Sequence, residues 1–378
     1  MKRIACAIAL SVVLMLGISL CAAGATTDDF VSEQLEAVGA DELFSSLSQE
    51  TRELFESIGI DGVDYEQIIN VSPSTLLNML VSLFKTNLKI PMGILALIGG
   101  IMLVSSVAHS FVDGLQEKKT ADIFNLVSGL VIGVSIIVPV GQCISEVSTA
   151  IQLSADFMTA FIPVFVAVII AAGRPLAALS FNGMVFSLAE MIMYLSKNFI
   201  LPLVSGFLGL SLVGSFSVGI RVDNVIAFSK RCVTVVMGFM STVFVGLICM
   251  KGFVSTAADT VGTKASKFLL GNFLPVVGGA MGEAMSTVRV CLGLVKSSVG
   301  AFGMMGILLI YVPVIITLLS WQLVLSVSKM FGEMLGVSGP VMVIKAISST
   351  LSLLMAMLVF STFLLVISIS VILMARGG

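Results

Sequence analysis

Hydrophobic and polar positions alternate along this chain on two scales. Near the front the scale is one helical turn. Leu43, Leu47, Leu54 and Ile58 fall on one face, with Phe44 and Phe55 beside them and acids opposite. Gly59 to Asp64 reads as a loop, and Ser72-Pro73 as an N-cap followed by proline at the first helical position. Leu76, Leu80, Leu83, Phe84 and Leu88 then form an apolar stripe, with Asn78, Ser82, Lys85 and Lys89 on its polar side. Two readings of this helix are open: it lies at a membrane interface and leads into the first span, or it belongs to a small helical domain without lipid contact. Amphipathic helices alone have little core, so the stretch is expected to pack on a partner or on the membrane body.

Farther along, the scale lengthens to whole apolar segments of about 20 residues, enough to cross a bilayer. The pattern predicts spans at Pro91–Val112, Ile123–Ile144, Phe157–Ala172, Leu176–Leu195, Phe199–Ile220 and Val233–Met250, a broken segment at Phe268–Val295, and further spans at Gly300–Val327 and Ile347–Met374. With the N-terminus outside, Lys118-Lys119, Arg174 and Arg221/Lys230/Arg231 fall on the cytoplasmic side, and the loop from Cys143 to Asp156 falls outside. Beyond Met250 the rule fails, because Lys251, Lys264 and Lys267 would sit outside. If the broken segment crosses, Arg289, Lys296 and Arg376 are inside; if it re-enters, Lys329 and Lys345 are.

Composition fixes the class. The chain is 57% hydrophobic and 11% charged, with a mean hydropathy of +1.12, too much apolar surface for a water-soluble core. Lys2-Arg3, the apolar run Ile4 to Leu20 and Ala23-Gly24-Ala25 predict a cleavable signal peptide, an uncleaved first helix being the other reading. Between Thr26 and Phe84 stand twelve acids and one base, against ten acids and seventeen bases from Lys85 onward. The fold class expected is therefore all-α. It is a polytopic integral membrane protein of about seven to nine segments, with a signal peptide at 1–25 and an acidic, amphipathic, exported head at 26–89. The first part of the membrane bundle is placed at 90–250, and the second part, containing the broken segment 268–296, at 251–378.

That broken segment carries the candidate site. Asn272, Pro275, Gly278, Gly279 and Gly282 interrupt it, and Glu283, Arg289 and Lys296 put charge into it. Glu190 adds a carboxylate to another span, on roughly the face of Asn182. Ions at membrane depth normally face a cavity, a partner or each other. They line a polar pathway, or they snorkel to the interface around one ion pair. Gly300, Gly303 and Gly306, and Gly332, Gly336 and Gly339, read as close-packing or hinge glycines. A weak echo between Phe161–Val164 and Phe273–Val276 hints at paired proline-interrupted segments, as in transporters.

Soluble-type catalysis has little footing. There is no phosphate loop of the G-x-x-x-x-G-K-[ST] type and no G-x-S-x-G, and the single histidine, His109, excludes H-E-x-x-H. The six cysteines lack metal-type spacing. No cofactor, no metal and no nucleic-acid partner is expected; the bilayer is. A secondary transporter with a polar path near 268–296 is the alternative to a non-enzymatic membrane component.

The chain resembles the stage III sporulation protein AE family of endospore-forming bacteria. The resemblance rests on the signal sequence, the acidic head, FIPVF at Phe161–Phe165 and KFLLGNFLPVVGGAMGEAMSTV at Lys267–Val288. The last is similar to the family's K-F-x-x-G-N-F-I-P-V-V-G signature, with Lys296 to Gly303 matching its following lysine and G-x-x-G-like stretch; the small residues near Ala171–Gly173 match only loosely. The resemblance implies a non-enzymatic component of a channel linking mother cell and forespore, needed for forespore development. It implies residence in the mother-cell-derived outer forespore membrane with the head extracytoplasmic. It also implies ring-forming sister proteins, a separate ATPase and a forespore-side partner. No residue-level site follows from it.

Overall fold

The computed structural model describes residues 35–114, 118–215, 231–247 and 278–374, with isolated positions at 224, 227, 228 and 250. The expected signal peptide, Asn272 and Pro275 lie outside the described residues. Those described form helices and no strands.

Three short helices come first: α1 Ala40–Ser46, α2 Gln49–Ser57 and α3 Tyr65–Ile69. Ser48 caps α2 by accepting from the Thr51 N–H at 3.3 Å, and Asp64 caps α3 by accepting from the Glu66 N–H at 2.9 Å. Leu43, Leu47, Phe55 and Ile58 are buried, as the periodicity predicts, and the Gly59–Asp64 loop adds Ile60 and Val63 to the same core.

Then come the long helices. α4, Pro73–Gly114, starts where Ser72-Pro73 predicts, with the Thr75 N–H donating to Ser72 Oγ at 3.2 Å. α5 is Lys118–Ala171. α6, Pro175–Leu195, passes through one π turn at Ser196–Ile200 into α7, Leu201–Ser215. α8 is the shorter apolar helix Arg231–Leu247. α9, Gly278–Met334, and α10, Ser338–Met374, close the chain.

Five helices among the described residues are long and apolar enough to cross a membrane. The sequence expects seven to nine segments, and the difference has a physical cause. Over their described residues, three pairs of expected spans are each one helical run. The expected outside loop from Cys143 to Asp156 is helix throughout. It has serine, glutamine and glutamate but no glycine or proline after Gly141, so polarity there marks depth rather than a helix end. The expected break is corrected likewise over its described part: from Gly278 the helix runs unbroken through Lys296 to Met334.

Side-chain pairs fix the directions. Ser105 Oγ donates to Ser128 Oγ at 3.1 Å, which sets α4 and α5 as an antiparallel hairpin. Thr317 Oγ1 donates to Asn87 Oδ1 and Ser106 Oγ to the Leu335 carbonyl, both at 3.1 Å, so α4 and α9 run parallel. Ser154 opposite Tyr311 makes α5 antiparallel to α9, and α10 folds back along α9 through Gly336, whose φ of 73° closes that turn. Both hairpin tips therefore lie at one end of the bundle, where Gly339 also sits against the Asn125 carbonyl. Arg174 lies at the opposite end from Lys118-Lys119, against the expectation that they share a side: α5 does not turn back between them.

Candidate functional site

At the end away from the hairpin tips, α9 presents Gly300, Gly303 and Gly306 at one-turn spacing. A Cβ at Gly303 would overlap the Phe161 ring, and one at Gly306 would come within 2.8 Å of Phe157. Only hydrogen at these positions lets the rings of α5 approach the α9 backbone so closely. The glycines are packing surfaces here, within a continuous helix.

Phe302, between those glycines, joins the rings into a seam. Phe55 of α2 stacks on Phe302 with centroids 5.0 Å apart, and Phe44 of α1 lies 6.4 Å from it. Phe157 follows at 6.4 Å from Phe302, then Phe161, Phe165 and finally Phe181 of α6. Seven phenylalanines thus bind the acidic head to three long helices, each neighbouring pair contributing about 0.5–1.5 kcal/mol beyond its burial. The head packs on the membrane body, one of the two outcomes the sequence left open.

Polar groups register the same seam. Ser298 Oγ donates to the Val63 carbonyl of the head at 3.4 Å. The Tyr311 hydroxyl, fully buried, lies 2.7 Å from Ser154 Oγ and also hydrogen-bonds Ser361 of α10. Each serine can donate to its own helix as well, Ser154 to Ile151 at 2.8 Å and Ser361 to Met357 at 3.0 Å. The phenol has one proton for two serines, so one of them turns its hydroxyl toward the tyrosine. Glu50 of the head and Glu146 of α5 are close enough to repel.

The expected site residues are not gathered in one place. Gly278, Gly279, Gly282, Glu283 and Arg289 occupy the first turns of α9. Lys296 is buried farther along, near Arg174 of the α5–α6 turn. Glu190 faces outward from α6, exposed beside Asn182 and Ser187. No group of three or more potential metal ligands occurs among the described residues. The arrangement suits docking and register rather than bond chemistry. Sequence reasoning missed Ser154, Tyr311, Asn87 and Thr317, single polar residues inside apolar runs. Their only signal is position, since Ser154, Phe157 and Phe161 share one face of α5 and meet the glycine row of α9.

No solved structure matches this chain. The stage III sporulation protein AE of Bacillus subtilis (strain 168) is 26% identical over 233 residues, covering 61% of this chain and 58% of that protein. The match thus spans less than two thirds of the relative's length. A family model described as Stage III sporulation protein AE (spore_III_AE) matches residues 63–376, which take in everything from the loop before α3 through α10. With most of its length so matched, the chain belongs to the stage III sporulation protein AE family.

Proposed function

We propose that this protein is a non-enzymatic membrane component of a channel or secretion-like complex connecting mother cell and forespore, required for forespore development. Family membership is the observation that carries the reading. The organisation of the chain supports it. An acidic head is seated on a helical membrane body through an aromatic seam, a form suited to presenting a docking surface. The sequence contains no phosphate loop, so energy for transport comes from a separate ATPase subunit. The head faces the space between the two membranes, where sister ring proteins and a forespore-side partner reach it.

Deleting the gene in its spore-forming host and restoring it in trans tests this directly. Loss of late forespore gene expression, recovered on complementation and accompanied by co-purification of sister subunits, is the expected result. Solute flux across liposomes holding the purified protein alone, with normal sporulation in the deletion strain, would establish the transporter reading instead.

A further inference from the structure

The five long helices are too long for one bilayer. The shortest, Ser338–Val371, has 34 residues and the longest, Ile123–Ala171, has 49. At about 1.5 Å per residue these measure about 51 and 74 Å, against a hydrocarbon core of about 30 Å. Part of every long helix must stand outside the lipid, and the outward-facing side chains differ sharply between the two ends.

Toward the hairpin tips the outward face is apolar, with Lys329, Glu333 and Lys345 at the surface only in the turns nearest the tips. Ile90, Leu97, Val104 and Phe111 of α4 are exposed there, as are Val134 and Val138 of α5. Leu210 and Val213 of α7, and Leu323 and Met330 of α9, lie at the same level and are exposed too. In α4 no Asp, Glu, Lys or Arg interrupts Ile90 to Val112, a run of about 34 Å bounded by Lys89 on one side and by Asp113, just before the tip, on the other. Only 22% of the most apolar window of α4 is buried against protein, compared with 72% in α9.

Toward the other end the outward face is mixed and ionic. α6 exposes Asn182, Ser187 and Glu190 among Leu179 and Phe186. At the π turn Lys197 donates to Gln152 of α5, both in the open. The head occupies another side of this half, from Ser298 and Phe302 of α9 to Glu146 of α5, with Glu53, Glu56, Asp61 and Glu66 exposed on it. Hydrocarbon tolerates neither the exposed acids of the head nor an outward Glu190.

We propose that the bilayer encloses only the tip half of the bundle, with both hairpin tips at the cytoplasmic face, and that the other half stands clear of the lipid on the head side. The belt runs from Lys89 to the α4–α5 tip. This register gathers Lys118, Lys119, Lys329 and Lys345 at one membrane face, as the positive-inside pattern asks of a cytoplasmic side. It borrows from the proposed function only the extracytoplasmic side of the head; the depth of the belt does not depend on a role in sporulation.

Single-cysteine variants of the full chain, with the native cysteines replaced, test it in reconstituted vesicles carrying nitroxide labels. Val104→Cys, Val134→Cys and Leu210→Cys are expected to relax preferentially with oxygen. Leu179→Cys and Glu190→Cys are expected to relax with a water-soluble nickel complex, or to be shielded from both. Oxygen preference at Leu179 and Glu190 equal to that at Val104 would overturn the belt. In intact protoplasts an impermeant maleimide should label Glu53→Cys directly and Lys118→Cys only after permeabilisation. The reverse pattern would overturn the sidedness alone. A host that sporulates normally without the gene would remove the proposed function and leave the belt standing.

Discussion

The tip half and the head half of this bundle are built from the same five helices, yet they solve opposite problems. In the tip half the large apolar side chains face outward, and serines such as Ser105 and Ser128 pair inside. In the head half the phenylalanines face inward around a glycine row, and carboxylates stand outside. Where lipid is the solvent, helices gain little from apolar contact with each other and rely on small residues and hydrogen bonds. Where water is the solvent, aromatic burial supplies the cohesion. One helix, α5, obeys both rules along its length.

The contrast can be broken from either side. Gly303→Leu should have the largest effect, because the added side chain overlaps Phe161 in a seam without slack; monodisperse elution in detergent is expected to be lost. Phe302→Ala removes the ring that joins head to body and should cost about 3–5 kcal/mol, read as release of the head to limited proteolysis while the long helices remain protected. A matched pair sharpens the comparison. Val134→Asp in the tip half should impair membrane insertion by about 3 kcal/mol, whereas Leu179→Asp in the head half should insert normally. Tyr311→Phe leaves Ser154 and Ser361 to their own helices and should lower thermal stability by about 1 kcal/mol. Glu190→Gln, on an exposed face, should change stability by less than about 0.5 kcal/mol and leave assembly intact.

Much of this was legible in the sequence, and the limit was physical. The stripes of Leu43, Phe55 and Leu76 gave the head helices, and Ser72-Pro73 gave the start of α4, because caps and periodicity are local signals. The glycine row read correctly as close packing. Continuity did not read correctly. Between Cys143 and Asp156 a polar run inside an apolar helix looks like a loop when every span is assumed to end at the membrane surface. The same assumption placed Arg174 beside Lys118-Lys119. The aromatic seam was invisible for another reason: Phe55, Phe302 and Phe161 are ordinary apolar residues until the fold puts them within one ring's reach of each other.

The unbroken run of α5 through the waist has a mechanical consequence. Its 54 residues, Pro139 and Pro163 among them, measure about 81 Å along the helix at about 1.5 Å per residue, and α9 braces it at Ser154 and Tyr311. A lever of that length multiplies small angles. Tilting the tip hairpin by about 5° would swing the far end by about 7 Å, more than a helix turn. Whatever grips the acidic head is thus geared to the orientation of the tip, and a pull at one end reaches the other as displacement rather than strain.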